Sequence, residues 1–255
     1  MQRPFSDWGG NIAAFILVVV MNVLSNALPI NNQSMPEISA KYPSLFTPAG
    51  FTFSIWGVIY LTLLFFVIYQ ALPTQRANPA IARISRLFQV NCLANAAWLV
   101  AWHYDLLNFS LLIMLVLLAT LVLIYRALLP EIDRASTGQH LALHLPFSLY
   151  TGWITLATIA NMSAVQTGNG WDDVGLTAIN WTLLKIAVAG AIGATVVLRY
   201  RDPIFVLVVA WGAYGIAAMQ SATPAVAGAA TSLSLLALLL AAREGLSRLV
   251  AFRQL

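Results

Sequence analysis

Pro146, Tyr150, Trp153, Ala157 and Asn161 stand at offsets of 4, 7, 11 and 15, which places all five on one face of an α-helix. The surrounding run, 145–165, is otherwise apolar enough to sit in a bilayer. A face that carries a proline, two amphipathic aromatics, a small residue and an amide looks inward, towards other helices or a ligand. Two further stripes share this character: Phe53, Trp56 and Tyr60 at i, i+3, i+7, and Asn91, Asn95, Trp98 and Trp102 at i, i+4, i+7, i+11. Amides and indoles aligned in this way are costly towards lipid. Trp102, near the end of its run, also suits the aromatic belt at a membrane surface. Trp98 and Asn95 lie deeper, where the belt does not account for them. Flat aromatic walls with a few amides suit a planar π-ligand, stacked on the rings and oriented by hydrogen bonds. Packing within a helix bundle is the competing role for any one of these side chains.

Lys185 falls well inside another apolar run, where a charge costs about 2.5 kcal/mol or more. Trp181 precedes it by one turn and Asn180 is nearby. The amine either snorkels to the surface on its long stem or binds an anionic group such as a propionate. A retinal Schiff base would need an intramembrane Asp or Glu as counter-ion, and the spans offer none. His140 and His144, at i, i+4, have a spacing that can hold a metal or give one imidazole to a haem iron. With no carboxylate or cysteine reinforcing them, they read as interfacial histidines. His103 sits beside Asp105 in a short turn, which favours a local hydrogen bond. No glycine-rich phosphate loop follows a strand, and no Ser/His/Asp set has supporting spacing. Catalytic residues, a metal site and a required cofactor are therefore not expected.

The elements that position these residues follow from composition. Hydrophobic residues make up 60% of the 255 and charged residues 9%, with a mean hydropathy of +0.81. A soluble domain would carry roughly a quarter of its residues charged, so the chain reads as an integral membrane protein. A helix needs about 20 apolar residues to cross the hydrocarbon core. Eight such spans are expected, at about 10–28, 51–71, 83–102, 106–128, 143–165, 176–198, 203–219 and 223–242. Runs such as 111–124 lack the alternation of a barrel strand. The fold class is all-α, a polytopic membrane helix bundle of about eight transmembrane helices. The single cysteine, Cys92, lies in the third span and excludes an intramolecular disulfide.

With a cytoplasmic N-terminus, one side of the membrane holds Arg3, Arg76, Arg83, Arg86, Arg126, Arg134, Arg199, Arg201, Arg243, Arg248 and Arg253; the other holds Lys41. The positive-inside rule thus places both termini in the cytoplasm, and the charge bias suits a bacterial inner membrane. It also makes the basic pI of 9.5 a topology signal, and no nucleic-acid partner is expected. A rival reading makes the first span a signal peptide cleaved after Ala27, leaving seven spans. The longest connection, 29–50, is polar and punctuated by Pro29, Pro36, Pro43 and Pro48; it is either an exposed connector or a lid over an outward-facing cavity. Small residues such as Gly190, Gly193, Gly212 and Gly215 suit spans six and seven to close packing.

These segments resemble the tryptophan-rich sensory protein/translocator protein (TspO/MBR) family. Its second-helix pattern is kept by Pro48, Gly50, Phe53, Trp56 and Tyr60, with Phe51 replacing a tryptophan and Ala49 a proline. Its third-helix Asn-x-x-Trp is matched by Asn95 and Trp98, and its fifth-helix motif by Trp153, Ala157, Thr158 and Asn161. The fifth-helix proline is displaced by three residues, at Pro146. The resemblance covers about residues 10–165, which gives two expected parts: a five-helix bundle over 1–165 and a three-helix extension over 166–255. It implies a protein, commonly a homodimer, that binds porphyrins and other small hydrophobic ligands in a cavity beneath the first loop. Trp56, Trp98, Trp153, Ala157 and Asn161 would line that cavity.

Three functions follow. The first is a sensor or carrier binding a hydrophobic ligand of the tetrapyrrole class. The second is a secondary transporter of a small hydrophobic or anionic metabolite, though no inverted repeat is evident. The third is an enzyme acting on a porphyrin or lipid, though no acid/base pair lies within the spans. The topology is open to direct measurement. Reporter fusions at Asn32 and at Leu255 should report opposite sides of the membrane, and the same side for both would refute the eight-span arrangement.

Overall fold

The computed structural model describes residues 3–28 and 30–252. Pro29, Arg253 and Leu255 lie outside the described residues, as do the side chains of Pro36 and Arg248. All regular structure among the described residues is helical: α1 (Phe5–Ala27), α2 (Met35–Lys41), α3 (Ile55–Ala71), α4 (Pro79–His103), α5 (Leu107–Leu128), α6 (Thr137–Gln139), α7 (Leu145–Gly168), α8 (Ala178–Tyr200), α9 (Pro203–Met219) and α10 (Pro224–Phe252). Apart from the short α2 and α6, a helix stands at each of the eight expected spans. Of these, α1, α3 with the turn before it (Gly50–Ala71, 22 residues), α5 with the turn after it (Leu107–Ile132), α8 and α10 are long and apolar enough to cross a membrane by length and composition. α9 is apolar but only 17 residues long. The protein is a polytopic all-α membrane protein.

The chain divides into two compact units, Met1–Lys41 with Ile55–Thr151 and Tyr42–Ser54 with Gly152–Leu255. In the first, α4 packs on α5 and on α1, and α1 packs on α3. α4 begins where Asn78 accepts a hydrogen bond from Ala80 N at 3.0 Å and Pro79 takes the first helical position, where a missing N–H costs nothing. Phe66, Phe88 and Phe147, all fully buried, meet edge to face with centroids 4.9, 5.1 and 6.0 Å apart. A π-helical turn, His140–His144, joins α6 to α7. Its cause is Pro146, which has no N–H for the Ala142 carbonyl and whose ring would clash with it. The wider turn lets Leu145 N bond back to His140 O.

In the second unit α9 packs on α10, and α8 on both. The two-residue link between α8 and α9 works because Arg201 adopts the left-handed conformation (φ 54°) and Asp202 caps Ile204 N and Phe205 N at 2.9 and 3.2 Å. Ser234 Oγ donates to Ala210 O at 3.0 Å, tying α10 to α9. Close approach depends on absent side chains. A Cβ on Gly193 would lie 3.2 Å from Val209, and one on Gly152 would lie 3.1 Å from Val208 Cβ and 3.3 Å from Phe205 O. Around Gly57, by contrast, a Cβ would meet nothing. Gly152→Val should therefore destabilise the protein by about 1–3 kcal/mol through overpacking, whereas Gly57→Val should leave its thermal midpoint in detergent unchanged. Equal midpoints for the two variants would contradict this packing.

Candidate functional site

Within the first unit, α3, α4 and the start of α7 bring five of the expected residues together. Trp56 stacks on Tyr60 with centroids 5.4 Å apart and planes 18° off parallel. Tyr150 meets Trp56 edge-on at 5.8 Å. Asn95 donates to the Tyr150 hydroxyl at 2.7 Å and accepts from Asn22 of α1 at 3.0 Å. The Tyr60 hydroxyl is enclosed and faces the Asn22 and Asn95 amides. Trp98 stacks on Trp102 at 5.5 Å, with 17° between the planes. The result is two stacked aromatic pairs and a chain of three polar side chains, Asn22, Asn95 and Tyr150.

The stripes are not used as uniformly as their spacing suggests. Asn91 turns to α5, donating to Thr120 Oγ1 at 2.9 Å and Leu117 O at 3.2 Å, so it clamps two helices. Phe53 does not continue the α3 face. It lies in a 3-10 turn, Gly50–Ser54, that groups with the second unit, where it meets Trp153 edge-on at 5.8 Å. The turn is pulled aside because Trp211 Nε1 donates to Thr52 O at 2.9 Å and Ala49 N to Gly215 O at 3.0 Å. Phe51, at the position of the replaced tryptophan, packs on Trp211 and Tyr214 at 5.5 and 5.8 Å.

Trp153, Ala157 and Asn161 follow along α7, with Trp153 and Asn161 buried and Ala157 half-buried. The first half of α7 has no exposed face, whereas 157–160 are half-buried and Met162 is exposed. From Pro146 to Leu156 every residue except Leu149 is buried, including Ser148, Thr151 and Thr155. That enclosure explains why α7 tolerates so many polar groups: each hydroxyl can bond within the protein, as Thr158 Oγ1 does to Ile154 O at 2.7 Å and Ser163 Oγ to Ile159 O at 2.9 Å. Lys185 is half-buried on α8 and makes no hydrogen bond or ion pair among the described residues. Asp172, in the α7–α8 connection, is the acidic group within electrostatic range of it. Trp181, one turn before it, is fixed by a bond from Nε1 to Val174 O at 3.1 Å.

A comparison with known protein families matches residues 8–243 to the TSPO-like protein family. The chain belongs to this family. The match runs through α8 and α9 into α10, beyond residue 165, where the motif resemblance stops. No curated protein and no solved structure matches this TSPO-like chain.

Several side chains that organise the protein were not singled out by spacing. At one end of the first unit, Arg3 is buried and donates to Asp7 at 3.1 Å, to Gln70 Oε1 at 3.1 Å and to Ser85 Oγ at 3.4 Å. Burial lowers its pKa, and the Asp7 carboxylate opposes that. Asn11 joins the same network through Ser85 at 3.1 Å and Gln89 at 3.1 Å. The available signal was a polar residue, such as Asn11, Asn22 or Gln70, inside an apolar run. At the other end, His103 makes the local hydrogen bond expected of it, with Nδ1 of its buried ring 2.7 Å from Leu99 O, and Asp105 pairs with Lys41 at 2.9 Å. Asn31 and Gln33 donate to His103 O at 3.0 and 3.1 Å, so residues 30–41 are strapped onto the α4–α5 turn. His140 and His144 stand with ring centroids 5.2 Å apart on the π-helical turn, and no group of three or more metal-binding side chains forms among the described residues.

Proposed function

We propose that this TSPO-like membrane protein binds a planar hydrophobic ligand of the tetrapyrrole class, as a sensor or carrier, at the cluster of Trp56, Tyr60, Asn95, Trp98 and Tyr150. The observation that carries this reading is the stacked Trp56–Tyr60 pair set beside the Asn22–Asn95–Tyr150 chain, which puts a flat aromatic wall and orienting polar groups in one place. Amides and hydroxyls there can orient a ligand by hydrogen bonds, while the Trp56 and Trp98 faces supply stacking. In the second unit, Trp153, Ala157 and Asn161 are proposed as ligand contacts on the family motif. Lys185, with no ion-pair partner among the described residues, is proposed as the group that meets a ligand carboxylate.

Within this proposal, residues 1–165 form the ligand-binding part and 166–255 an extension, with both termini in the cytoplasm and the protein acting as a homodimer in a bacterial inner membrane. Titration of the detergent-purified protein with protoporphyrin IX, followed by absorption, tests the ligand reading. Trp56→Ala should weaken binding by about 5- to 150-fold, corresponding to roughly 1–3 kcal/mol for a lost stacking wall by analogy with aromatic–base stacking. Lys185→Met should weaken protoporphyrin IX but not its dimethyl ester. Unchanged affinity in Trp56→Ala would reject the site, and equal weakening of acid and ester in Lys185→Met would reduce the lysine to a packing role.

A further inference from the structure

An apolar groove of about 480 Å³ runs between the first half of α1 and the second half of α3. Phe15 and Val67 are buried in it, while Ile16, Leu64, Ile68 and Leu72 are exposed along it. From Leu64 to Leu72 the groove follows about 12 Å of helix, close to the depth of one leaflet, which is about half of the ~30 Å hydrocarbon core. Its end is marked by Ile12 and Pro73. One helical turn before Ile12 stands Trp8, and over the Trp8 ring, 4.9 Å from its centroid, lies the guanidinium of Arg76. Arg76 is anchored through its backbone, its carbonyl accepting Arg3 N at 2.8 Å and its N–H pointing to Pro73 O at 3.4 Å.

Arg3, Arg83 and Arg86 of this unit have protein partners in Asp7, Glu131 and Gln89, and Arg126 and Arg134 are exposed. The Arg76 guanidinium has no hydrogen bond or ion pair among the described residues, and its Nε is buried without a partner. A planar cation held over an indole, with its donors unused, is prepared for a bidentate oxyanion such as a phosphate. Basic pockets between transmembrane helices bind anionic lipid headgroups in this manner, and tryptophan favours that depth.

We propose that this groove is a lipid site, holding one acyl chain of an anionic phospholipid along α1 and α3 with its phosphate on Arg76. The match of groove length to leaflet depth selects a membrane lipid over a free anion, and the unopposed cation selects a lipid of net negative charge.

The test uses the full chain purified in detergent and titrated with dioleoyl phosphatidylglycerol or dioleoyl phosphatidylcholine, with bound lipid read by native mass spectrometry. Phosphatidylglycerol should bind at least about fivefold more tightly, the ratio expected for one Arg at the membrane surface. Arg76→Gln should abolish that preference and Arg76→Lys should retain most of it, while Arg126→Gln, an exposed arginine on α5 away from the groove, should leave it unchanged. Ala71→Phe, which fills the groove, should weaken both lipids; Ala71→Leu should do so to a smaller degree. Equal effects of Arg76→Gln and Arg126→Gln would overturn the proposal. So would unchanged binding in both Ala71 variants, or glycerol 3-phosphate competing as well as the intact lipid.

Discussion

A polar side chain inside a bilayer must find its partner within the protein, because the lipid offers none. In the first unit α4 is where that constraint is met. Ser85 and Gln89 receive the polar groups of α1, Asn91 reaches α5, Asn95 joins Asn22 to Tyr150, and the last carbonyl, of His103, holds residues 30–41. Together these rungs tie α4 to α1, α5, α7 and residues 30–41. Remove the rungs and the apolar surfaces alone would leave helix order and rotation poorly fixed, since lipid chains are as apolar as the leucines they touch.

The second unit meets the same constraint by another route. There glycine and alanine allow the backbones to approach, as at Gly193 against Val206 and Val209 and Gly212 against Leu156. The segment Pro48–Phe53 is seated on α9 by the Ala49, Thr52 and Phe51 contacts. The Pro48–Phe53 part of the second-helix family motif therefore rests on α9, a helix outside the region the motifs cover.

The helices were legible because each is a long apolar run with clear stops: Asn78-Pro79 before α4, Asp202-Pro203 before α9, Pro224 before α10. The grouping of Trp56, Tyr60, Asn95 and Tyr150 was legible for a similar reason, since costly residues sharing a face must be turned inward. Two features were not. The helical period predicts that Phe53 shares the Trp56 face, but the Trp211 indole captures the Thr52 carbonyl and holds Phe53 in a 3-10 turn, an effect of a residue about 160 positions away. The α7 stripe implied one inward face, whereas the enclosure of Pro146–Leu156 on nearly every side follows from packing that periodicity does not encode. The Arg3 network escaped because a lone arginine near a chain end reads as a topology charge, and only the fold brings Gln70 and Ser85 to it.

The account rests on α4 amides acting as ties between helices, with Asn95 holding both the first-unit core and the proposed ligand cluster. A double-mutant cycle on Asn95→Leu and Tyr150→Phe, read as unfolding free energy in detergent or lipid, measures that tie directly. Coupling of about 0.6–1.7 kcal/mol is predicted, the range for hydrogen bonds between membrane helices. Additivity within about 0.3–0.5 kcal/mol, as for independent sites, would contradict it.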